Sequence, residues 1–357
     1  MQWRLFLLFS LGFWACNQTG QMHVAKGKNG NSYATLFEFK YQGKDSFLTI
    51  FSPGKNRKVI QKFYKGPRTA PKNCIKIDIA KRVVTMDCVL AEFTKLIGEE
   101  KRVVGIDNID FFASKYFQDE VKAGRVTELQ KGGEINLELL SGLNASEIWI
   151  GGMGEGISLD ALERIGIQPI YFLSYMESHP LGSAEWSKVA NFLLGGKSNF
   201  FEIEKANYEE LISHDTKVDS KVLLNAPYEG VWHSPKEQSP IVQLIRDAGG
   251  EVIPVLPGTG SSPLMMEQVF EYSNNVDFWL NTGLAKDRKD LLLMDKRMAK
   301  FGPWKKASIF NNIKQRSKSG ANSYYEIFNT QPSIILAEIK CVFKNCEEPL
   351  NYYEKLE

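Results

Sequence analysis

The chain of 357 residues is longer than one hydrophobic core usually organises, so two core-bearing units are expected. A composition of 43% hydrophobic, 12% aromatic and 24% charged residues excludes a mainly disordered, collagen-like or multi-span membrane protein. Forty-four Lys and Arg against 42 Asp and Glu leave a formal charge of +2, too balanced for a protein that lives on phosphate backbones, so no nucleic-acid partner is expected.

The N-terminus carries Arg4 followed by the apolar stretch Leu5 to Ala15, interrupted by Ser10 and Gly12. It is too short to span a bilayer. A basic start, a short apolar stretch and a small residue before a cysteine read as a bacterial lipoprotein signal over residues 1–15, cleaved between Ala15 and Cys16. Lipid on Cys16 then anchors the mature chain to a membrane of the cell envelope, on the periplasmic side. The alternative is an ordinary export signal with an incidental cysteine, since Phe13 and Trp14 are bulky for a lipoprotein signal. Residues 16–32, rich in Asn, Gln, Gly and Lys, read as a flexible tether.

From Tyr33 to Phe51 apolar and polar residues alternate around Gly43-Lys44-Asp45, which predicts a hairpin. Strand-like runs follow at Val83 to Met86, Val103 to Ile106, Ile148 to Ile150 and Ile170 to Leu173, separated by amphipathic stretches such as Val89 to Ile97 and Leu137 to Leu143. The alternation resumes after residue 215, with Val222 to Leu224, a helix from Pro240 to Ala248, Val252-Ile253, a helix from Pro263 to Tyr272, and Val276 to Leu280. Alternating strands and helices imply mostly parallel sheets covered on both faces. The expected fold is α/β, with two Rossmann-like lobes at 33–196 and 215–357. Between them, Phe201, Ile203, Glu204, Tyr208, Leu211 and Ile212 recur at helical spacing, so a single long α-helix over 197–214 is expected to join the lobes. Such a rod permits a small opening rather than a wide hinge.

Apart from Cys16 the cysteines are Cys74, Cys88, Cys341 and Cys346. Their compartment permits disulfides, and Cys341 and Cys346 are near enough to close a small loop. Buried or free thiols are an equally open reading, and the spacings match no common zinc site.

In open parallel sheets the loops at the carboxyl ends of the strands form the binding crevice, so two facing lobes share a cleft. The loops expected there hold Asp87-Cys88, Asp107-Asn108, Gly152-Met153-Gly154 and Tyr175-Met176-Glu177 from the first lobe. The second lobe supplies the run Tyr228 to His233, Gly258 to Ser261, and Ser323-Tyr324-Tyr325. Candidate ligand contacts are therefore Asp87, Met153, Glu177, Tyr228, Trp232, His233, Ser261, Tyr324 and Tyr325. The aromatics offer flat faces with polar tips to a bulky ring-bearing ligand. His233 could ligate a haem iron or corrin cobalt, against a plain surface histidine. Lys314, Arg316 and Lys318 form a basic turn that reads first as solvated. His179 reads as fixing a turn before Pro180.

Several stretches, in order, resemble the periplasmic binding proteins that deliver iron chelates, haem or vitamin B12 to ABC importers, the class with a helical linker. Arg82-Val83-Val84 through Val103-Val104-Gly105 resembles the first strand–helix–strand. The runs Asn136 to Leu140 and Ile148-Trp149-Ile150, His179 to Trp186, Asp247 to Gly250, Gly258 to Ser261 with Glu267, and Gly320 to Glu326 match further segments, so the resemblance covers about 80 to 340. It implies a binding protein, not an enzyme, that captures a metal chelate without a cofactor of its own and presents it as a monomer to an ABC permease dimer with its ATPase subunits. Glu138 and Glu267, one per lobe, then correspond to the family's two acidic docking residues. Ser323, Tyr325 and Asp87-Cys88 depart from the family's usual residues, so the pocket chemistry is not carried over.

Enzyme signatures are weak. In Gly152-Met153-Gly154-Glu155-Gly156 the third glycine of a dinucleotide fingerprint is displaced by Ile157, and Gly258 to Ser262 lacks the Lys-Ser/Thr ending of a phosphate loop. An exported chelate-modifying enzyme on the same scaffold is the remaining alternative.

Overall fold

The computed structural model describes residues 31–54, 56–131, 134–151, 157–213 and 219–357. The expected signal, the tether to residue 30 and Cys16 lie outside the described residues, as does Met153 with its flanking glycines.

The predicted hairpin is part of a larger sheet. Strands β1 (Phe37–Gln42), β2 (Asp45–Phe51), β3 (Val59–Lys65) and β4 (Ile75–Lys76) pair in that order. The alternation puts Phe37, Leu48, Ile50 and Phe63 on the inner face, where they join the core of the first lobe. Asp45 opens β2 and accepts the Tyr64 hydroxyl at 2.8 Å.

The first lobe runs through β5 (Val83–Thr85), α1 (Cys88–Leu96), β6 (Val103–Ile106), α2 (Lys115–Lys122), β7 (Thr127–Glu128), β8 (Gln130–Lys131), β9 (Glu134–Ile135), α3 (Leu137–Gly142), β10 (Glu147–Gly151), α4 (Leu159–Arg164) and β11 (Gln168–Phe172). Its main sheet is parallel, in the order β11-β10-β5-β6-β7. The central strands are apolar on both faces because helices cover both sides. Gly105 in β6 lets Leu143 pack close, since a Cβ there would stand 2.7 Å from Leu143 Cδ1 and force that side chain to shift. At the edge, β11 meets the N-terminal sheet through one side chain. The Gln61 amide donates to Pro169 O at 2.9 Å and accepts from Tyr171 N at 3.0 Å, as a paired strand residue would.

The junction contains the expected helix, but that helix does not act alone. Helices α5 (Pro180–Glu185), α6 (Ser187–Leu194) and α7 (Phe200–Ser213) follow one another. Leu181 and Ala184 of α5 lie in the second lobe's core, Val189 and Leu193 of α6 in the first, and Phe201 and Tyr208 of α7 in the second again. The crossing is broken for local reasons. Pro180 starts α5, and Gly195 at φ 69° ends α6 with Gly196 behind it.

The second lobe comprises β12 (Ser220–Leu224), β13 (Trp232–Pro235), α8 (Pro240–Asp247), β14 (Gly250–Val252), β15 (Ser261–Leu264), α9 (Met266–Ser273), β16 (Phe278–Leu280), α10 (Arg288–Met294), α11 (Gly302–Lys306), β17 (Ile309–Asn311), α12 (Ser323–Thr330), α13 (Pro332–Lys344) and β18 (Glu354–Lys355). Its sheet, β14-β12-β16-β17-β18, is parallel except for the terminal strand. The helix expected from Pro263 starts later. Pro263 pairs with His233 in the two-stranded ribbon β13-β15, and the α9 helix begins after Met265, whose amide donates to Gln268 Oε1 at 2.9 Å. Proline is tolerated on such an edge strand, where its missing N–H costs no ladder bond. Cys341 and Cys346 form a disulfide that closes the end of α13, while Cys74 and Cys88 have no disulfide partner among the described residues.

Candidate functional site

The carboxyl ends of the two sheets face each other. Helix α1, which leaves the carboxyl end of β5, packs against α12, which follows β17. Two hydrogen bonds close the floor between the lobes: Ala113 N donates to Glu326 Oε1 at 2.9 Å, and Ser319 Oγ donates to Asp110 O at 3.3 Å. A third, from Ser183 Oγ to Asn329 Oδ1 at 3.1 Å, ties α5 to α12.

Large apolar side chains stand exposed on the loops at these strand ends. Phe111 follows β6 and is 59% exposed, Tyr228 follows β12 at 65%, and Tyr325 begins α12 at 54%. Tyr175 after β11, Val231 after β12 and Leu284 after β16 are exposed as well. Loops at the carboxyl ends of open parallel sheets are where such folds build a binding crevice, which makes these side chains the candidate contacts. The sequence pointed to Tyr228 and Tyr325. It missed Phe111 and Leu284, although the run Ile109-Asp110-Phe111-Phe112 directly after a strand was a usable signal.

Acidic groups line the floor. Asp87 caps α1 and accepts Val89 N at 2.6 Å. The packing is close, because a Cβ on Gly151, at the end of β10, would lie 3.3 Å from Asp87 Oδ2. Burial pushes the Asp87 carboxyl up. Burial, with the Asp87 charge beside it, raises Asp107 to about 7, and burial raises Glu326 to about 7. Asp107 Oδ1 is buried without a hydrogen-bond partner among the described residues, which fits a group that holds its proton near neutrality. The Cys88 thiol, next to these groups, is pushed up by burial first and then by the Asp87 charge, which disfavours its thiolate.

Three expected contacts are built into the core instead. Trp232 is fully buried, stacked on Trp279 at 5.8 Å, and its indole donates to Leu224 O at 3.0 Å. Tyr324 is buried with its hydroxyl 3.2 Å from that of Tyr353. Both lie on strand or helix faces turned inward, and an indole or phenol that finds a partner there loses nothing by burial. Glu177 is also buried. Its carboxylate accepts from the amides of Thr35 and Leu36, the Thr35 hydroxyl and the Trp186 indole, so it holds the N-terminal segment and has no capacity for a ligand.

His233 and Ser261 are exposed on the β13-β15 ribbon, and His233 O accepts the Asn225 amide at 2.7 Å. His179 is buried and caps α5, its Nδ1 accepting Leu181 N at 3.1 Å, with burial holding its ring down at about 4. Met176 packs against the first core. Glu138 and Glu267 sit exposed in the first turns of α3 and α9, one per lobe, and Glu267 pairs with Arg297 at 3.0 Å. Lys314, Arg316 and Lys318 are exposed. Lys314 and Arg316 are partly spent on the carbonyls of Leu350 and Gly320.

Among the described residues no group of three or more His, Cys, Asp or Glu side chains is arranged to hold a metal ion. Also among them, no helix is long and apolar enough to cross a membrane.

No protein-family model matches the chain, and no curated protein matches it. Solved structures do. The iron uptake ABC transporter substrate-binding protein PiuA from Streptococcus pneumoniae aligns at 17% identity and a TM-score of 0.55, covering 74% of this chain and 93% of its own. The periplasmic heme binding protein HutB of Vibrio cholerae gives 17% and 0.55, with 71% and 98% covered. The vitamin B12 binding protein BtuF of the same organism gives 11% and 0.51, with 76% and 99% covered. At these identities the likeness defines the fold: two α/β lobes of the periplasmic binding protein kind.

Proposed function

We propose that this chain is the substrate-binding component of an ABC importer and that it captures an iron(III) chelate of the siderophore type. The observation that carries the reading is the set of exposed aromatic and aliphatic side chains at the carboxyl ends of both parallel sheets, beside the hydrogen bonds that join the lobes. Affinity then comes mainly from removing ligand and side-chain apolar surface from water, at about 25 cal/mol per Å². The basic turn at Lys314 to Lys318 adds attraction for an anionic chelate. No bond in the cargo is made or broken. The fold shared with proteins named for iron uptake, haem and vitamin B12 supports a carrier role, and the placement of Glu138 and Glu267 on separate lobes supports docking to a two-subunit permease.

Haem or cobalamin is the second reading, favoured by one feature, the exposed His233 ring on the β13-β15 ribbon. Absorbance titration of the purified chain with a ferric chelate, haem and cobalamin separates them. A stoichiometric change with the chelate alone is expected, a change with haem that His233→Ala abolishes would replace it, and conversion of any of the three to product would point to an enzyme. We further propose export and anchoring through Cys16, tested by incorporation of a labelled fatty acid that Cys16→Ser abolishes, and a monomeric state, tested by sedimentation.

A further inference from the structure

The charge of the chain is unevenly placed. Residues 37–76, the N-terminal sheet, hold ten Lys and Arg against two carboxylates, Glu38 and Asp45, although the whole chain carries only +2. Both carboxylates are already engaged, Glu38 by Arg57 at 3.3 Å and Asp45 by Arg68. Lys65 is turned inward onto Phe192, its Nζ 4.4 Å from the ring. Lys40, Lys44, Lys58, Lys62, Lys72 and Lys76 remain exposed, with no carboxylate partner among the described residues.

Register collects several of these on one face. Phe37 points inward, so Glu38 and Lys40 point outward. Glu38 pairs across to Thr49 and that to Lys62, while Lys40 pairs to Phe47, Phe47 to Tyr64, and Tyr64 to Lys76. Lys40, Lys62 and Lys72 share an open groove of about 710 Å³ with Phe47. The Lys62 ammonium stands 5.9 Å from the Phe47 ring, and Arg57 lies 3.9 Å from that of Phe51.

We propose that the outer face of β1–β4 is a landing surface for an anionic bilayer, its lysines meeting phosphate-bearing lipid headgroups. Clustered lysines with interspersed aromatics suit the headgroup layer, where ammonium groups meet phosphates and rings settle at the apolar boundary. The sheet is the first described element after Cys16, which lies 21 residues before Phe37, so an anchor there keeps the face within about 75 Å of the membrane even with the intervening chain fully extended. The surface does not depend on what the cleft binds.

The test uses the chain from residue 16 onward with Cys16→Ser, so that no acyl group contributes, sedimented with vesicles of phosphatidylcholine alone or mixed with phosphatidylglycerol. Binding to the mixed vesicles at least tenfold above the neutral ones, lost in high salt, is expected. Combining Lys40→Glu, Lys62→Glu, Lys72→Glu and Lys76→Glu should abolish it, each lysine being worth about fivefold. The same number of reversals on the second lobe, at Lys286, Lys289, Lys305 and Lys306, should leave binding within twofold. A titration of the cleft and a thermal melt report whether each variant is folded. Equal binding to both vesicle types, or an unaffected β-sheet variant, overturns the proposal. So does capture of an acidic protein or polyanion by this face without vesicle binding.

Discussion

The Trp186 indole donates to Glu177 Oε1 at 3.0 Å, and the same carboxylate receives the Thr35 and Leu36 amides at 2.8 and 3.0 Å. One buried side chain thus fastens the start of the N-terminal sheet to the helices at the lobe junction, and burial pushes its pKa up to about 6. Glu177→Ala leaves these donors unpaired and should cost about 3 kcal/mol of stability in urea denaturation, while ligand affinity of the folded protein stays unchanged. A loss of affinity at constant stability would return Glu177 to the cleft.

Trp232 and Tyr228 stand four residues apart and should behave oppositely. Trp232→Ala empties a fully buried site and should cost about 3–5 kcal/mol. Tyr228→Ala should leave the melt within about 0.5 kcal/mol of the parent and weaken ligand binding about tenfold. Phe111→Ala should act like Tyr228→Ala.

Asp107 and Glu326 carry folded-state pKa values of about 7, above the 3.8 and 4.5 of free carboxyls. Between these limits the folded state binds more protons than the unfolded chain, so their contribution to stability is present at acid pH and is lost as pH rises through about 7. Asp107→Asn removes one of them. Denaturation midpoints should therefore show this variant gaining on the parent as pH is raised from about 5 to 8. His179, held at about 4, works in the other direction and is unaffected by the substitution, so a flat difference between variant and parent would refute the assignment.

Glu138→Ala with Glu267→Ala should leave ligand titrations intact and abolish uptake in cells. Both side chains are exposed, and separated rim charges set register and encounter rate rather than core stability. Unchanged uptake would refute the docking role proposed for Glu138 and Glu267.

The strands of both lobes were legible because Val83 to Thr85, Val103 to Ile106 and Val222 to Leu224 are continuous apolar runs, as strands covered on both faces must be. The start of α7 was legible too, since the helix expected over 197–214 begins just past Gly195-Gly196, whereas the part α5 and α6 play in the crossing was not, because it depends on which lobe's core each helix joins. The misplaced site residues share one cause. Trp232, Tyr324 and Glu177 all sit in loop-flanked positions, and whether such a side chain turns in or out depends on partners far away in sequence, such as Trp279, Tyr353 and Thr35. Local pattern is blind to those partners.

The Gln61 amide stands where a neighbouring strand would otherwise dock on β11. A chain shortened to begin after residue 76 would uncover the apolar face that Phe37, Leu48, Ile50 and Phe63 close and bare that row of peptide groups beside Ile170 and Phe172, and it should self-associate. The N-terminal sheet thereby doubles as a guard against aggregation, and fragments made to simplify the molecule would be harder to handle than the whole.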